Sequence, residues 1–141
     1  MKFVVDSNIL FNFFWKNSTF RKICERRELE FFSPEYALEE IKKYKEEITK
    51  KAKISEKEFN NIRLDLINRI NFTPLESYVS EFNNIKKLAE KFGEKSNEIL
   101  KDVDFIALAL KLNMPLLTHD KLLKEQNEIQ ILTIKEFIEI I

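Results

Sequence analysis

Four acidic residues of this 141-residue chain stand where a carboxylate can do chemistry: Asp6, Glu40, Asp102 and Asp120. Asp6 ends the apolar run Phe3-Val4-Val5, and Asp120 follows Leu116-Leu117-Thr118-His119 in the same way. Continuous runs of β-favouring apolar residues suit strands buried on both faces of a parallel sheet, and open α/β sheets take their ligands at the C-terminal ends of such strands. Glu40 and Asp102 come from helical stretches. At about 100° per residue, Glu40 falls inside the apolar face formed by Tyr36, Ala37, Leu38, Ile41 and Tyr44, while Glu39 points away among Lys42, Lys43 and Glu46. Asp102 likewise points between Ile106 and Ala109, whereas Asp104, Ala107 and Lys111 share a side that looks solvent-facing.

Each acid also has a plainer reading. Asp6 can cap the following helix, Asp102 can be the N-cap of its own, and Glu40 can snorkel from the edge of its face. Four carboxylates brought together would repel one another and could not all stay ionised without a counter-charge. A divalent cation supplies that charge, and a cation held by carboxylates can activate water against a phosphoryl centre. The reaction class this favours is metal-assisted hydrolysis of a phosphodiester. His119 is the only histidine, so the ligands must be oxygens, which favours Mg²⁺ or Mn²⁺ over zinc.

The elements that must position these acids alternate strand and helix. Phe3–Val5 reads as a first strand, Ile9–Trp15 and Thr19–Arg27 as helices, and Leu29–Phe32 as a second strand. Ser33-Pro34 looks like a helix start, with serine as N-cap and proline in the first turn. Charged helix continues to Ile70, with Ser55 and Glu58 forming a capping box. A third strand is expected at Ile70–Thr73, and an amphipathic helix from Tyr78 to Phe92 closed by Gly93, the only glycine. The Asp102 helix follows, then strands Met114–Thr118 and Ile129–Thr133 and a closing helix Ile134–Ile141. The expectation is one α/β domain over residues 1–141, a three-layer fold with a mostly parallel five-stranded sheet flanked by helices. Phe11, Phe13, Phe14 and Trp15 cannot all face one core, so some of them are expected at an oligomer or partner interface, with ordinary core packing the alternative.

Composition closes several alternatives. One glycine leaves no Gly-rich phosphate loop, which removes the P-loop and Rossmann readings. One cysteine, Cys24, allows no internal disulfide and fits a reducing cytoplasm. No segment reaches the length of a membrane span, and the N-terminus lacks the pattern of a signal peptide. The 24 basic and 24 acidic side chains cancel, so nucleic-acid binding would need local charge separation. Residues 42–70 hold nine basic and five acidic residues, which could line a backbone-binding groove or simply form a solvated face.

Val5-Asp6-Ser7-Asn8-Ile9-Leu10, Ala37-Leu38-Glu39-Glu40-Ile41, the stretch Asp102 to Leu110, and Leu117-Thr118-His119-Asp120 together resemble, in order and spacing, the motifs of the PIN domain of metal-dependent ribonucleases. Within that family they are similar to the toxin subunits of VapBC-type toxin–antitoxin pairs. The resemblance covers nearly the whole chain. It implies an acidic site of Asp6, Glu40, Asp102 and Asp120, with Asp104 a possible further metal ligand and Ser7, Asn8 and Thr118 as polar supports. It further implies an RNA substrate, a Mg²⁺ or Mn²⁺ cofactor, a homodimer and an inhibiting antitoxin. Relatives that process RNA, or that bind RNA without cutting it, are the alternative. A haloacid-dehalogenase-type phosphatase needs a second aspartate where Asn8 stands, and a receiver domain needs paired acids on the first strand, which are absent.

Overall fold

The structure, a computed structural model, describes residues 1–141. Its centre is a five-stranded, all-parallel sheet in the order β3-β2-β1-β4-β5, flanked by helices. The strands are β1 (Lys2–Val5), β2 (Glu30–Pro34), β3 (Ile70–Thr73), β4 (Leu116–Leu117) and β5 (Ile131–Leu132). The helices are α1 (Ser7–Phe11), α2 (Thr19–Ile23), α3 (Tyr36–Lys43), α4 (Lys45–Ala52), α5 (Glu56–Arg69), α6 (Phe82–Glu90), α7 (Ser96–Leu100), α8 (Val103–Leu112) and α9 (Ile134–Ile140).

The apolar runs of β1 and β4 are buried from end to end except for Lys2, as a strand covered on both faces requires. Phe3, Phe20, Phe31 and Phe137 interlock over the sheet with ring centroids 4.9–6.0 Å apart. Such contacts, edge-to-face except for the stacked pair Phe3–Phe31, add about 0.5–1.5 kcal/mol each beyond the area they bury. A single cluster of 34 buried apolar residues joins these rings to α8, which packs along β1, β2 and β4. The Ser55–Glu58 capping box forms as expected, and Thr133 with Glu136 makes a second one at α9.

Several boundaries differ from the sequence expectation. Ser33 and Pro34 do not start a helix; they are the last residues of β2, and α3 opens at Tyr36. The sheet outcompetes the cap: the buried Ser33 hydroxyl donates to the Val5 carbonyl at 2.9 Å, and Pro34 pairs with Thr73 at the strand end, where proline is tolerated. Helix α2 stops at Ile23 rather than Arg27, and β4 and β5 keep only two residues each. The stretch expected as one helix from Tyr78 begins as 3₁₀ turns over Leu75–Ser77 and Val79–Glu81, becoming α-helical at Phe82. Gly93, at φ +56°, follows it in the left-handed region that favours glycine. Of the aromatic run after β1, Phe13 and Phe14 are fully buried, while Phe11 and Trp15 remain half-buried.

Candidate active site

Strand β1 lies mid-sheet, with β2 on one side and β4 on the other. The crevice at the C-terminal ends of β1 and β4 is therefore the switch point at which doubly wound sheets open to ligands. Asp6 is the first residue beyond β1 and only 6% exposed. Its Oδ1 accepts the Ile9 N–H at 3.2 Å, capping α1, and its Oδ2 accepts the Thr118 hydroxyl. Capping and placement at the crevice thus coexist in one side chain. Burial pushes the Asp6 carboxyl above its ordinary value, outweighing the bonds from Thr118 and Ile9, nearby His119 and the Asn8 amide.

Thr118 follows β4 and is fully buried. Its hydroxyl donates to Asp6 and accepts the Asp120 N–H at 3.0 Å, so one residue fixes the relative position of two acids from neighbouring strands. The Asp120 carboxylate accepts the Leu122 N–H at 2.9 Å, capping the turn over Lys121–Glu125. Asp102 stands just before α8 but makes no cap bond, so its carboxyl is left to face the other acids. Burial first, then the charges of Asp6 and Asp120, a hydrogen bond shared with Asp120 and the charge of Glu40 push it up to about 7.

Glu40 enters from α3, the helix after β2. It is half-buried, and its Oε1 accepts the Ser7 hydroxyl at 3.1 Å. Its carboxyl too is raised, by burial foremost; the Ser7 bond and Lys43 oppose this, and Asp6 and Asp104 add to it. Asp104 does not lie on a solvent-facing side. It is half-buried and accepts the Tyr78 hydroxyl at 2.7 Å, and Ala107 is fully buried, because the segment from Tyr78 through α6 covers that face of α8. Burial and the Asp104 bond push the Tyr78 phenol upward. Asn8 points outward, exposed, into a neighbouring hollow.

Asp102 thus feels the charges of Asp6, Asp120 and Glu40, and Glu40 feels those of Asp6 and Asp104. None of the seven ion pairs of the molecule involves any of these five. No three His, Cys, Asp or Glu side chains close to the spacing of a ready-made metal cage. The donor set nevertheless fits a hard cation of the Mg²⁺ kind, which takes one or two carboxylates and keeps several waters. Oxygen-only donors with raised pKa values and no ion-paired Lys or Arg leave a charge for such an ion to neutralise.

The family model of the PIN domain matches residues 4–131, a span that contains every acid described. The chain belongs to the PIN-domain family. Among solved structures, this PIN domain is similar to a chain in the crystal structure of VapBC2 from Rickettsia felis bound to a DNA fragment from their promoter. The TM-score is 0.67 at 14% identity, over 94% of this chain and 98% of that one, a likeness of fold. No curated protein matches the sequence.

The hold of Tyr78 on Asp104 had no signal in the sequence. Thr118, expected as a polar support, bridges Asp6 to Asp120. Tyr36 and Tyr44, expected on the face that carries Glu40, stand exposed at its margin.

Proposed function

We propose that this PIN domain is a Mg²⁺- or Mn²⁺-dependent endoribonuclease, the toxin subunit of a VapBC-like pair. The proposal includes a homodimer acting on RNA in the cytoplasm as one domain over residues 1–141, with an antitoxin as its inhibiting partner. The observation that carries the reading is the group Asp6, Glu40, Asp102 and Asp120, gathered at a sheet switch point with no basic side chain paired to any of them. Asp6, Asp102 and Asp120 would hold the cation, with Glu40 and Asp104 at its margin. The cation, when bound, supplies an activated water and neutralises charge developing on the scissile phosphate.

The chain's own residues do the positioning. Thr118 and the α1 amides fix both oxygens of Asp6, so that carboxylate keeps one orientation. The Leu122 amide does the same for Asp120, and Ser7 does it for Glu40. Asp102, whose carboxyl is raised to about 7 in the metal-free protein, would give up its proton when the cation binds. No helix of the structure is long and apolar enough to cross a membrane.

The lack of a closed three-carboxylate cage favours a second reading, a PIN domain that binds or helps process RNA without cutting it. One experiment separates the two. Purified protein is incubated with an RNA pool with and without Mn²⁺, beside Asp6→Asn and Asp102→Asn variants whose folding is checked by circular dichroism. Cleavage that needs Mn²⁺ and disappears in both folded variants supports the nuclease. RNA retention that is indifferent to the metal and intact in the variants supports the binding module.

A further inference from the structure

Helix α3 carries Glu40 inward and two tyrosines at its margin. Tyr36 is 40% exposed and Tyr44 is 36% exposed. Tyr36 meets Phe105, of the helix that Asp102 precedes, edge-on at 6.4 Å, and its phenol is raised chiefly by Glu40, then by burial and by Asp104. About two turns further along, Tyr44 meets Phe11 edge-on at 5.9 Å. Beside them is a hollow of about 270 Å³ lined by Asn8, Phe11, Trp15, Tyr44, Ile48 and Lys51. Tyr44, which lines the hollow, lies one turn beyond Glu40, its N–H donating to the Glu40 carbonyl at 3.0 Å, so the hollow opens on the Glu40 side of the acid group.

The volume is below the range of ordinary small-molecule sites and suits one flat ring system. Charge favours a polyanion: Lys43, in no ion pair, lies over the Tyr44 ring at 5.3 Å, and residues 42–70 carry a net excess of basic side chains. At the rim, Glu47 and Lys51 pair at 2.8 Å and cancel. Aromatic faces bordered by lysines are how proteins hold unpaired bases of a single strand, because every base offers a π-face.

We propose that Tyr36 and the Phe11–Trp15–Tyr44 hollow are base-stacking subsites for single-stranded RNA, holding the nucleotides beside the scissile phosphate while the acids face the phosphate itself. This rests on the nuclease reading for the meaning of "scissile", but the stacking has its own signature. Trp15 is the only tryptophan, and its ring lines the hollow with its Nε1 fixed to Asn12 at 2.7 Å. A base entering there must change its fluorescence.

The test titrates the full chain with a six-nucleotide single-stranded RNA and with a blunt RNA duplex of equal strand length. Ca²⁺ replaces Mg²⁺ to neutralise the acids, and a gel confirms that the probe stays intact. The single strand is expected to quench Trp15 and the duplex to leave it unchanged. Tyr44→Ala should weaken the single-strand affinity about tenfold and raise KM in cleavage assays by a similar factor with kcat nearly unchanged; Tyr44→Phe should restore both. Tyr36→Ala should act in the same direction. Emission that ignores RNA at concentrations where the protein cleaves it, or an affinity unaltered in Tyr44→Ala, would overturn the proposal while leaving the nuclease standing. A Trp15 signal that responds only to a helical peptide or to self-association marks a protein interface and overturns it as well. Quenching without any cleavage, sensitive to Tyr44→Ala, keeps the stacking subsites and removes the nuclease.

Discussion

Carboxylates on the surface of this protein and carboxylates at the ends of its strands live under opposite rules. On the surface, Glu47, Glu56 and Asp65 each have a Lys or Arg within 2.6–2.9 Å, and Glu136, bonded to Lys124 and Thr133, is drawn down to about 2. At the crevice between β1 and β4, Asp6, Glu40 and Asp102 are all raised, and Asp102 reaches about 7. With 24 basic side chains available, the chain pairs none with these acids; Lys43 acts on Glu40 only from a distance. Repulsion of this kind is a cost to the fold, and the cost makes chemical sense where an external cation removes it.

The sharpest way to break the comparison is to remove one acid from each region. Asp6→Asn should lower RNA cleavage by about a thousandfold or more, because it deletes a cation ligand while an amide can still occupy the same space. Loss of less than about tenfold, measured as kcat/KM on one oligoribonucleotide, would return Asp6 to a capping role. Thr118→Val tests the support of the acids rather than the acids. It strips Asp6 Oδ2 and the Asp120 N–H of their shared partner. Activity should fall about 10- to 100-fold, and stability by about 1–3 kcal/mol in urea unfolding.

The pH dependence of stability separates the two regions by sign. A carboxyl raised in the folded state, as Asp102 is, makes the folded protein bind more protons than the unfolded chain between the ordinary value and its own. Its contribution is therefore favourable below about pH 4 and is lost as pH rises to about 7, the reverse of the depressed Glu136, whose contribution is lost as pH falls toward about 2. Metal-free protein should lose thermal stability between about pH 4 and 7, and Asp102→Asn should recover about 5 °C in Tm at pH 7.5. A flat profile in both proteins would mean that Asp102 is better solvated than its surroundings indicate. Smallest of all, Glu56→Gln, which removes an exposed pair with Lys45, should move Tm by less than about 2 °C and leave cleavage untouched.

What the sequence disclosed follows from which forces are local. Phe3-Val4-Val5-Asp6 and Leu116-Leu117-Thr118 announced strands ending beside acids, because buried parallel strands need unbroken apolar runs. The βα alternation announced the parallel sheet, and helical projection announced that Glu40 points inward and Glu39 outward. Ser33-Pro34 misled because both residues carry strong helix-start signals, yet a non-local hydrogen bond to Val5 and pairing with β3 decided their fate. Asp104 was misjudged because projection ranks the sides of a helix but cannot know that the Tyr78 segment folds over one of them. The Thr118 bridge joins residues 112 positions apart, a separation at which no spacing rule operates.

The central claim is that the acids at the β1–β4 crevice share a hard divalent cation. Calorimetric titration of metal-free protein with Mn²⁺ at pH 6.5, in two buffers of different ionisation enthalpy, tests it most directly. The account predicts saturable binding accompanied by release of about one proton, as the raised Asp102 gives up its own. It predicts that both the binding and the proton release fail in Asp6→Asn and Asp102→Asn. Equal binding by wild type and variants, or no binding at millimolar Mn²⁺ by any of them, would contradict it.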